Sequence, residues 1–323
     1  MQLPLLDQIR AAQTFIYRFM PPTPQYTWPL MNLRLGCEAS IKHENHTPVG
    51  AFKVRGALLY LHALQQQSPD IQGVVAATRG NHGQGVGMAA RLFGLKAVVV
   101  VPHGNSIEKN RAMAAQGVEL IQHGHDFQAA LEFAHALAEQ RGFAFVESFH
   151  EELVLGTATY ALEFLEGAPG LDTVYVPIGM GSSICGMAAA RNVLGLATEI
   201  VGVVAAQAPA SARSFALRQV VEAPAETVIA DGLACRRPDE RALAVMLDNV
   251  KRIVEVSEAE IQHAMRALYE DMHNLAEGAG AAALAGAMRE RESLYGKRVG
   301  IVLTGGNVDR ATYAAVLAQQ AAS

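Results

Sequence analysis

The chain has 323 residues, half of them hydrophobic and only 18% charged, with a formal net charge of −5 at pH 7. Chains of this length usually form more than one hydrophobic core, so two domains are expected. The net charge is weakly negative and like charges form no blocks, so nothing in the charge pattern supports binding to nucleic acid or to a membrane surface. Three widely spaced cysteines predict neither a disulfide framework nor a zinc site, and they fit a reducing cytoplasm.

The first 70 residues lead to a lysine turn. Asp7 and Arg10 interrupt the N-terminal apolar residues, so no signal peptide is expected, and no later stretch is long and apolar enough for a transmembrane helix. A helix is predicted over 5–18, an extended segment over 33–42 and a second helix over 55–66. Lys53 lies between these last two, in GAFKVRGA, where a strand-to-helix turn would hold its amine over a cleft. An isolated lysine there would more often be an ordinary surface residue.

Residues 73–146 alternate short apolar runs with helical stretches. Strands are predicted at 74–77, 97–101, 118–121 and 143–146, with helices at 83–93, 107–116 and 127–140. Uninterrupted apolar strands alternating with helices indicate a parallel sheet covered on both faces. We expect a small domain over 72–147, inserted into a large domain formed by 1–71 and 148–323.

The same alternation continues to the end of the chain. Strands are predicted at 174–177, 200–204, 252–256 and 298–303, with helices at 184–193, 210–221, 258–274, 278–290 and 308–322. The N-terminal segment should join this second sheet. The predicted fold class is α/β, with two open doubly wound domains and mainly parallel sheets. In such sheets ligands bind beyond the carboxyl ends of the strands, so the reactive residues should follow the strands directly.

Two Gly-rich turns follow predicted strands and could hold anions. In Thr78-Arg79-Gly80-Asn81-His82, the hydroxyl, the amide and the first backbone N–H groups of a helix could bind a carboxylate. A capped helix start with a buried histidine is the simpler reading of this turn alone. In Gly179-Met180-Gly181-Ser182-Ser183, glycines, hydroxyls and a helix N-terminus predict a phosphate cup, with a plain tight turn as the alternative.

A dinucleotide site is disfavoured at the second turn. Its glycines have the spacing G-x-G-x-x-x-x-G, and the next strand ends in Ala205-Ala206-Gln207, where a ribose-binding acid would be needed. After the last strand, Thr304-Gly305-Gly306-Asn307 could place a neutral hydroxyl at the edge of a heteroaromatic ring. Alone, this motif most simply forms a turn.

Together, a reactive lysine, a carboxylate turn, a phosphate cup and a neutral hydroxyl are the parts that pyridoxal phosphate and an amino acid require. The chain resembles the fold-type II pyridoxal-phosphate enzymes, which share the tryptophan synthase β-like fold, and in particular the threonine/serine dehydratases and serine racemases. The resemblance covers essentially the whole chain, in order, through GAFKVRGA, TRGNHGQG, the Gly179 loop and TGGN.

The resemblance implies roles for individual residues. Lys53 would form the Schiff base with pyridoxal 5′-phosphate and then act as the Cα base. Phe52 would pack on the cofactor ring, Asn81 would hydrogen-bond its 3′-oxygen, and Thr304 would face the pyridine nitrogen. Glu277 falls where such enzymes often have a glutamate near the cofactor, although a helix N-terminal acid that interacts with the helix dipole is an equal alternative.

The remaining roles implied by the resemblance concern the two anion sites. The phosphate would be surrounded by Gly179, Met180, Gly181, Ser182 and Ser183. The substrate carboxylate would be bound by Thr78, Gly80, Asn81 and His82, with Arg79 beside them.

The implied activity is β-elimination of water from threonine or serine, giving a 2-oxo acid and ammonia. Arg79 stands where the racemases of the family have a serine, and a guanidinium is a poor acid at neutral pH, so serine racemisation is less favoured. Arg79 could instead pair with a second substrate carboxylate, which keeps 3-hydroxyaspartate dehydration open, or it could form a surface ion pair. A non-catalytic amino-acid-binding or vitamin-binding protein is a further alternative that an intact Lys53 makes improbable.

Three further departures from the family pattern carry expectations. Met180 and Ser182-Ser183 replace residues of an all-glycine phosphate loop, which should leave a tighter, more hydroxyl-rich cup. The segment from Gln207 to Arg213 has no carboxylate where some relatives bind a divalent cation, so no metal is expected there. A single helix after TGGN leaves no room for a regulatory domain, and the family's habit is a homodimer.

Overall fold

Two separate β-sheets organise the chain in the computed structural model, whose described residues are 1–319. The helices are α1 (Leu6–Ile16), α2 (Pro29–Leu35), α3 (Lys53–Gln67), α4 (Asn81–Leu92), α5 (Ile107–Ala115), α6 (Phe127–Arg141), α7 (Glu151–Gly167), α8 (Ser182–Val193), α9 (Ala210–Leu217), α10 (Glu240–Asn249), α11 (Glu258–Met272), α12 (Gly278–Arg289) and α13 (Arg310–Ala318). The strands are β1 (Gln25–Thr27), β2 (Glu38–His43), β3 (Gly73–Ala77), β4 (Lys96–Val101), β5 (Glu119–Gln122), β6 (Ala144–Phe145), β7 (Thr173–Pro177), β8 (Glu199–Ala205), β9 (Val250–Val256) and β10 (Arg298–Leu303).

The larger sheet has six strands in the order β1-β2-β10-β7-β8-β9. Only the β1–β2 pair is antiparallel, and the other neighbours run parallel. One face packs against a core that includes α11 and α12, and the opposite face packs against α7, α8 and α10. Every residue of β7 is buried, as expected for a strand covered on both faces. The prediction that the N-terminal segment joins this sheet is confirmed.

The smaller sheet has four parallel strands in the order β5-β4-β3-β6. Helices α3 and α4 contribute to the core on one face, and α6 covers the other. The predicted α/β class with open, doubly wound and mainly parallel sheets is therefore confirmed. The domain boundaries at 72 and 147 remain a proposal, because α3 precedes residue 72 and yet lies so close to α4 that a Cβ on Gly85 would be 3.1 Å from the Lys53 carbonyl oxygen.

The strand order brings the predicted site turns to one edge of the larger sheet. Strands β2, β10 and β7 are neighbours, and they lead into the lysine turn, the Thr304 turn and the Gly179 turn respectively. The turn at Thr78 follows β3 of the smaller sheet. Parallel strands end at the same edge, so four separate parts of the chain meet in the cleft between the sheets.

A cluster of buried charges lies below the first turns of α3. Arg55 and Glu44 are fully buried, and Arg55 Nε donates to Glu44 Oε2 at 2.8 Å. Arg55 Nη1 also donates to Glu163 Oε1 at 2.6 Å, and Lys42 Nζ donates to Glu163 Oε2 at 2.6 Å. The cluster ties the helix that begins at Lys53 to β2 and α7.

Several elements differ from the sequence-based expectations. Helices α2, α7 and α10 were not predicted, and residues 33–35, predicted as extended, end α2. Helix α7 is buried along most of its length, so it lacks the polar face that makes a helix visible in sequence. The last predicted helix, 308–322, is observed as α13, and residues 320–323 lie outside the described residues. Among the described helices, none is both long and apolar enough to span a membrane.

Candidate active site

One cavity of about 330 Å³ lies in the cleft between the two sheets. Every residue assigned a role from the sequence lines it, namely Phe52, Lys53, Thr78, Arg79, Gly80, Asn81, His82, Gly179, Met180, Gly181, Ser182, Ser183, Glu277 and Thr304. The structure therefore brings the four predicted turns together, and their individual roles can be assessed from geometry.

Lys53 is the first residue of α3, and the turn that precedes it is hydrogen-bonded to the residues that follow β10. The Phe52 N–H donates to the Thr304 carbonyl at 3.1 Å, and the Gly306 N–H donates to the Gly50 carbonyl at 2.9 Å. The Lys53 amine lies 4.9 Å from the centre of the Phe52 ring. Burial lowers the pKa of Lys53 to about 8, against the opposing charge of Glu277. Lys53 is thus held as an amine that deprotonates far more readily than a surface lysine.

Glu277 is wholly enclosed and accepts a hydrogen bond from Asn81 Nδ2 at 2.6 Å. It makes no side-chain cap to its own helix, so its contacts favour a site role over a simple helix-dipole role. Burial raises the pKa of Glu277 to about 7, against the opposing charge of Lys109. Asn307 Nδ2 donates to both Val49 O and Asn81 Oδ1 at 2.8 Å. Asn307 therefore links the lysine turn to the carboxylate turn.

Lys109 and Asp231 are site residues that sequence reasoning missed. Lys109 Nζ donates to Asp231 Oδ2 at 2.6 Å and lies 3.8 Å from Glu277 Oε2. The stem of Lys109 runs so close to Gly80 that a Cβ there would meet it at 2.7 Å. No motif signalled these residues, because α5 and the short helix Asp231–Leu233 approach each other only when the two sheets pack together.

The turn before α4 presents donors and one neutral histidine. Thr78 Oγ1 accepts from the Gly80 N–H at 3.0 Å, so its own proton is free to donate. Burial, and then the charge of Lys53, lower the pKa of His82 to about 3. His82 would therefore meet a substrate carboxylate as a neutral ring. Arg79 is exposed and makes no ion pair or side-chain hydrogen bond with another of residues 1–319.

The Gly179–Ser183 turn leads directly into α8. A Cβ on Gly179 would lie 2.7 Å from the Gly232 carbonyl oxygen, and Gly181 has φ +105°, a conformation that favours glycine. Ser182 and Ser183 begin the helix, where unpaired N–H groups and the helix dipole favour an anion. The Cys235 thiol donates to the Met180 sulfur at 3.3 Å, and this contact holds the Met180 side chain against the cavity wall.

Two side chains of α7 support this turn from behind. Thr157 Oγ1 donates to the Ser182 carbonyl at 2.7 Å, and the Tyr160 hydroxyl lies 2.5 Å from Ser183 Oγ. Sequence reasoning assigned no role to either residue, because α7 itself was not predicted.

The cavity fits pyridoxal phosphate on three grounds. Gly179 and Gly181 let the backbone of the Gly179–Ser183 turn, called the cradle below, pack where a Cβ at either position would collide at 2.7 Å, with the Gly232 carbonyl oxygen or the Ala242 Cβ. The buried atoms Glu277 Oε2 and His82 Nε2 have no hydrogen-bond partner among the described residues. Within residues 1–319, the Thr304 hydroxyl makes only a long hydrogen bond of 3.4 Å, to the Ala279 carbonyl, which leaves a neutral group at the cavity wall. Among residues 1–319, no group of three or more His, Cys, Asp or Glu side chains is arranged to hold a metal ion. The expected absence of a cation near Gln207 stays a prediction.

Known proteins match the chain along most of its length. The family model for pyridoxal-phosphate dependent enzymes matches residues 16–305. The L-threo-3-hydroxyaspartate ammonia-lyase of Saccharomyces cerevisiae is 32% identical over 318 residues, covering 98% of this chain and 97% of that protein. The L-threonine ammonia-lyase of Geobacter sulfurreducens is 37% identical over 286 residues, covering 88% and 71%. The structure of maize serine racemase superposes with a TM-score of 0.90 at 29% identity, covering 96% of each chain.

Proposed function

The chain belongs to the pyridoxal-phosphate dependent enzymes, and on that premise we propose that it eliminates water from a small hydroxy-amino acid, threonine or serine, giving a 2-oxo acid and ammonia. The observation that carries the proposal is the shared cavity. A lysine with a lowered pKa, an anion cradle at α8 and a carboxylate turn at α4 all line it. Relatives with an ammonia-lyase activity on threonine and on 3-hydroxyaspartate support the same reaction type.

Residues that follow strands of both sheets would bind the cofactor and the substrate. Gly179–Ser183 would hold the phosphate of the cofactor, Phe52 would pack on its ring and the second N–H of Asn81 Nδ2 would donate to its 3′-oxygen. Thr78 and the first N–H groups of α4 would bind the substrate carboxylate. The phosphate would thereby be held at the larger sheet and the substrate carboxylate at the smaller one, with Asn81 of α4 also contacting the cofactor ring.

Lys53 would carry the proton transfer. When bound, pyridoxal phosphate supplies a conjugated ring that accepts the negative charge left on the substrate when Cα loses its proton. The neutral Lys53 amine takes that proton and holds it at Nζ. The Cβ–O bond then breaks, and the hydroxyl takes the proton held at Lys53 Nζ and leaves as water. The released enamine takes up water and hydrolyses to the 2-oxo acid and ammonia.

Thr304 would favour elimination over competing reactions. A neutral hydroxyl beside the pyridine nitrogen cannot hold a proton there as a carboxylate would, so negative charge is drawn less strongly into the ring. The electron pair at Cα therefore leaves by expelling the Cβ hydroxyl. A Thr304→Asp enzyme with an unchanged ratio of elimination to transamination would contradict this role.

The test is a panel assay of 2-oxo acid release from threonine, serine and 3-hydroxyaspartate, with chiral analysis of unreacted serine. We expect release from a hydroxy-amino acid, no racemised serine, and complete loss with Lys53→Ala. Visible absorbance that persists in Lys53→Ala would refute covalent attachment at this lysine. Binding of an amino acid without turnover would favour a non-catalytic protein.

3-Hydroxyaspartate is the second candidate substrate, because of the position of Arg79. Arg79 lines the cavity as part of the carboxylate turn, and its guanidinium, which has no partner among residues 1–319, could bind a second carboxylate. Arg79→Gln should then lower kcat/KM for 3-hydroxyaspartate about 30-fold, as expected for a hydrogen bond between charged groups, and change threonine turnover little. Arg91→Gln, at the far end of α4, is the control. Equal losses for both substrates would remove Arg79 as a specificity residue.

We also propose, from the family resemblance, that the chain forms a homodimer and acts in the cytoplasm. The exposed apolar side chains of Leu30 and Leu33 on α2 support a contact surface. The three cysteines are buried and free, in agreement with a reducing compartment. Sedimentation of the full-length chain as a monomer at micromolar concentration would contradict the dimer.

A further inference from the structure

Tyr160 lies behind the Gly179–Ser183 turn and is completely buried. Its hydroxyl is 2.5 Å from Ser183 Oγ and has no other hydrogen-bond partner in the part of the chain that the structure describes. The ring contacts two further parts of the site, since its centre is 6.2 Å from that of Phe52 and 6.0 Å from the Arg55 guanidinium carbon. Tyr160 thus contacts both the lysine turn and the phosphate cradle.

The direction of the Tyr160–Ser183 hydrogen bond follows from acidity. Two hydroxyls share one contact, so one donates and the other accepts. A phenol is much more acidic than an aliphatic alcohol, which makes Tyr160 the better donor and Ser183 the better acceptor. Burial raises the pKa of Tyr160, so its proton stays in place. With Tyr160 donating, the proton of Ser183 is free for a second acceptor.

The phosphate of the cofactor, bound in the cradle, would supply that acceptor. Ser183 lines the cavity and is the second residue of α8, next to the unpaired N–H groups of the first turn. A chain of donors from Tyr160 through Ser183 to an anionic oxygen polarises each bond in the same sense and strengthens it. The arrangement suits a doubly charged phosphate better than a neutral group.

Thr157 fixes the neighbouring residue from the same face of α7. It precedes Tyr160 by three positions, so the two side chains lie side by side. Its hydroxyl shares one proton between the Ser182 carbonyl at 2.7 Å and the Val154 carbonyl at 2.8 Å. The approach to α8 is so close that a Cβ on Gly186 would lie 2.3 Å from Thr157 Oγ1. Both serines of the cradle are therefore held from α7, and the Ser183 side chain has a defined orientation.

We propose that Tyr160 is a positioning residue for the phosphate of the cofactor: it accepts no ligand contact itself and aims the Ser183 hydroxyl proton into the cradle. This inference rests on the proposed function, because it needs a phosphate-bearing cofactor. It assigns a task to a residue that the family motifs do not contain.

The test measures dissociation constants of the full-length chain, freed of cofactor, for pyridoxal phosphate, for pyridoxal and for inorganic phosphate. Tyr160→Phe should weaken binding of pyridoxal phosphate and of inorganic phosphate about 3- to 10-fold, the range of one net hydrogen bond, and should change pyridoxal binding less than about 2-fold. The control is Tyr175→Phe, which removes a buried hydroxyl bonded to Glu290 outside the cavity.

A double-mutant cycle tests whether Tyr160 acts on phosphate binding through the Ser183 hydroxyl. Ser183→Ala should reproduce the loss, and adding Tyr160→Phe to it should change phosphate affinity no further, because both act through one hydroxyl. Additive losses would overturn the proposal, as would equal losses for pyridoxal and pyridoxal phosphate, which indicate a general packing defect. If the unmodified chain binds pyridoxal phosphate but Tyr160→Phe keeps full phosphate selectivity, only this inference fails. If the unmodified chain binds no pyridoxal phosphate, the proposed function fails and this inference fails with it.

Discussion

The ionisation of Lys53 can be tested by neutralising Glu277. The lysine has a pKa of about 8 because burial disfavours its charged form, while the carboxylate of Glu277 partly restores it. Glu277 has a pKa of about 7, so it is already ionised when Lys53 titrates. Removing its charge in Glu277→Gln should therefore lower the pKa of Lys53 further and increase the neutral amine at neutral pH.

The expected magnitude is large enough to measure. With a pKa of about 8, Lys53 has about one tenth of its amine neutral at pH 7, about 300 times more than an ordinary lysine. Loss of one nearby opposite charge should lower its pKa by about one unit, which would leave about half of the amine neutral at pH 7.

The assay is competitive acetylation of the cofactor-free chain across pH 6–11, with the Lys53 peptide quantified by mass spectrometry. The rate should rise with pH to a midpoint near 8 and should shift down in Glu277→Gln. Glu290→Gln, which removes a carboxylate bonded to Tyr175 and Arg252 away from the cavity, should leave the midpoint unchanged. A Lys53 midpoint near 10.5, or an upward shift in Glu277→Gln, would refute the assignment of burial and Glu277 as the controlling influences.

The cradle, the buried ion cluster and the Gln207 segment each provide a further test. Gly179→Ala should reduce retention of pyridoxal phosphate on gel filtration at least about 10-fold, because its Cβ would collide with the Gly232 carbonyl. Arg55→Leu should lower the unfolding free energy by about 3–5 kcal/mol in urea titrations, since the buried Glu44 loses its cationic partner and Glu163 keeps only Lys42. Arg10→Leu, at an exposed ion pair, should cost less than about 1 kcal/mol. Dialysis against EDTA should leave 2-oxo acid release unchanged, and recovery of a lost activity by Mg²⁺ would contradict the absence of a cation near Gln207.

The sequence was sufficient for the elements that repeat a simple physical pattern. Apolar runs such as those of β4 and β10 are long, uninterrupted and bounded by turn residues, and the parallel-sheet rule then places the following turns at one edge. Lys53, the Gly179 loop and Thr304 could therefore be located before the fold was known.

What the sequence could not supply are contacts that depend on how the two sheets pack. Lys109 and Asp231 are 122 residues apart and meet only across the cleft, and neither lies in a recognisable motif. Helix α7 is buried on most sides, so its sequence lacks the periodicity that signals a surface helix. Because α7 was not predicted, the contact between Tyr160 and Ser183 could not be predicted either. The pKa values of Lys53 and Glu277 likewise depend on burial that a linear sequence does not specify.

The position of β10 between β2 and β7 has a consequence for biosynthesis. This strand spans Arg298–Leu303, so the larger sheet stays divided into two unconnected parts until residue 303 has left the ribosome. The lysine turn also docks on Thr304 and Gly306, so a nascent chain cannot assemble the cofactor pocket early. The smaller sheet, by contrast, is complete once residue 145 has emerged and uses only nearby strands. Synthesis should pass through a stage in which that sheet is formed while the exposed edges of β2 and β7 need protection from aggregation.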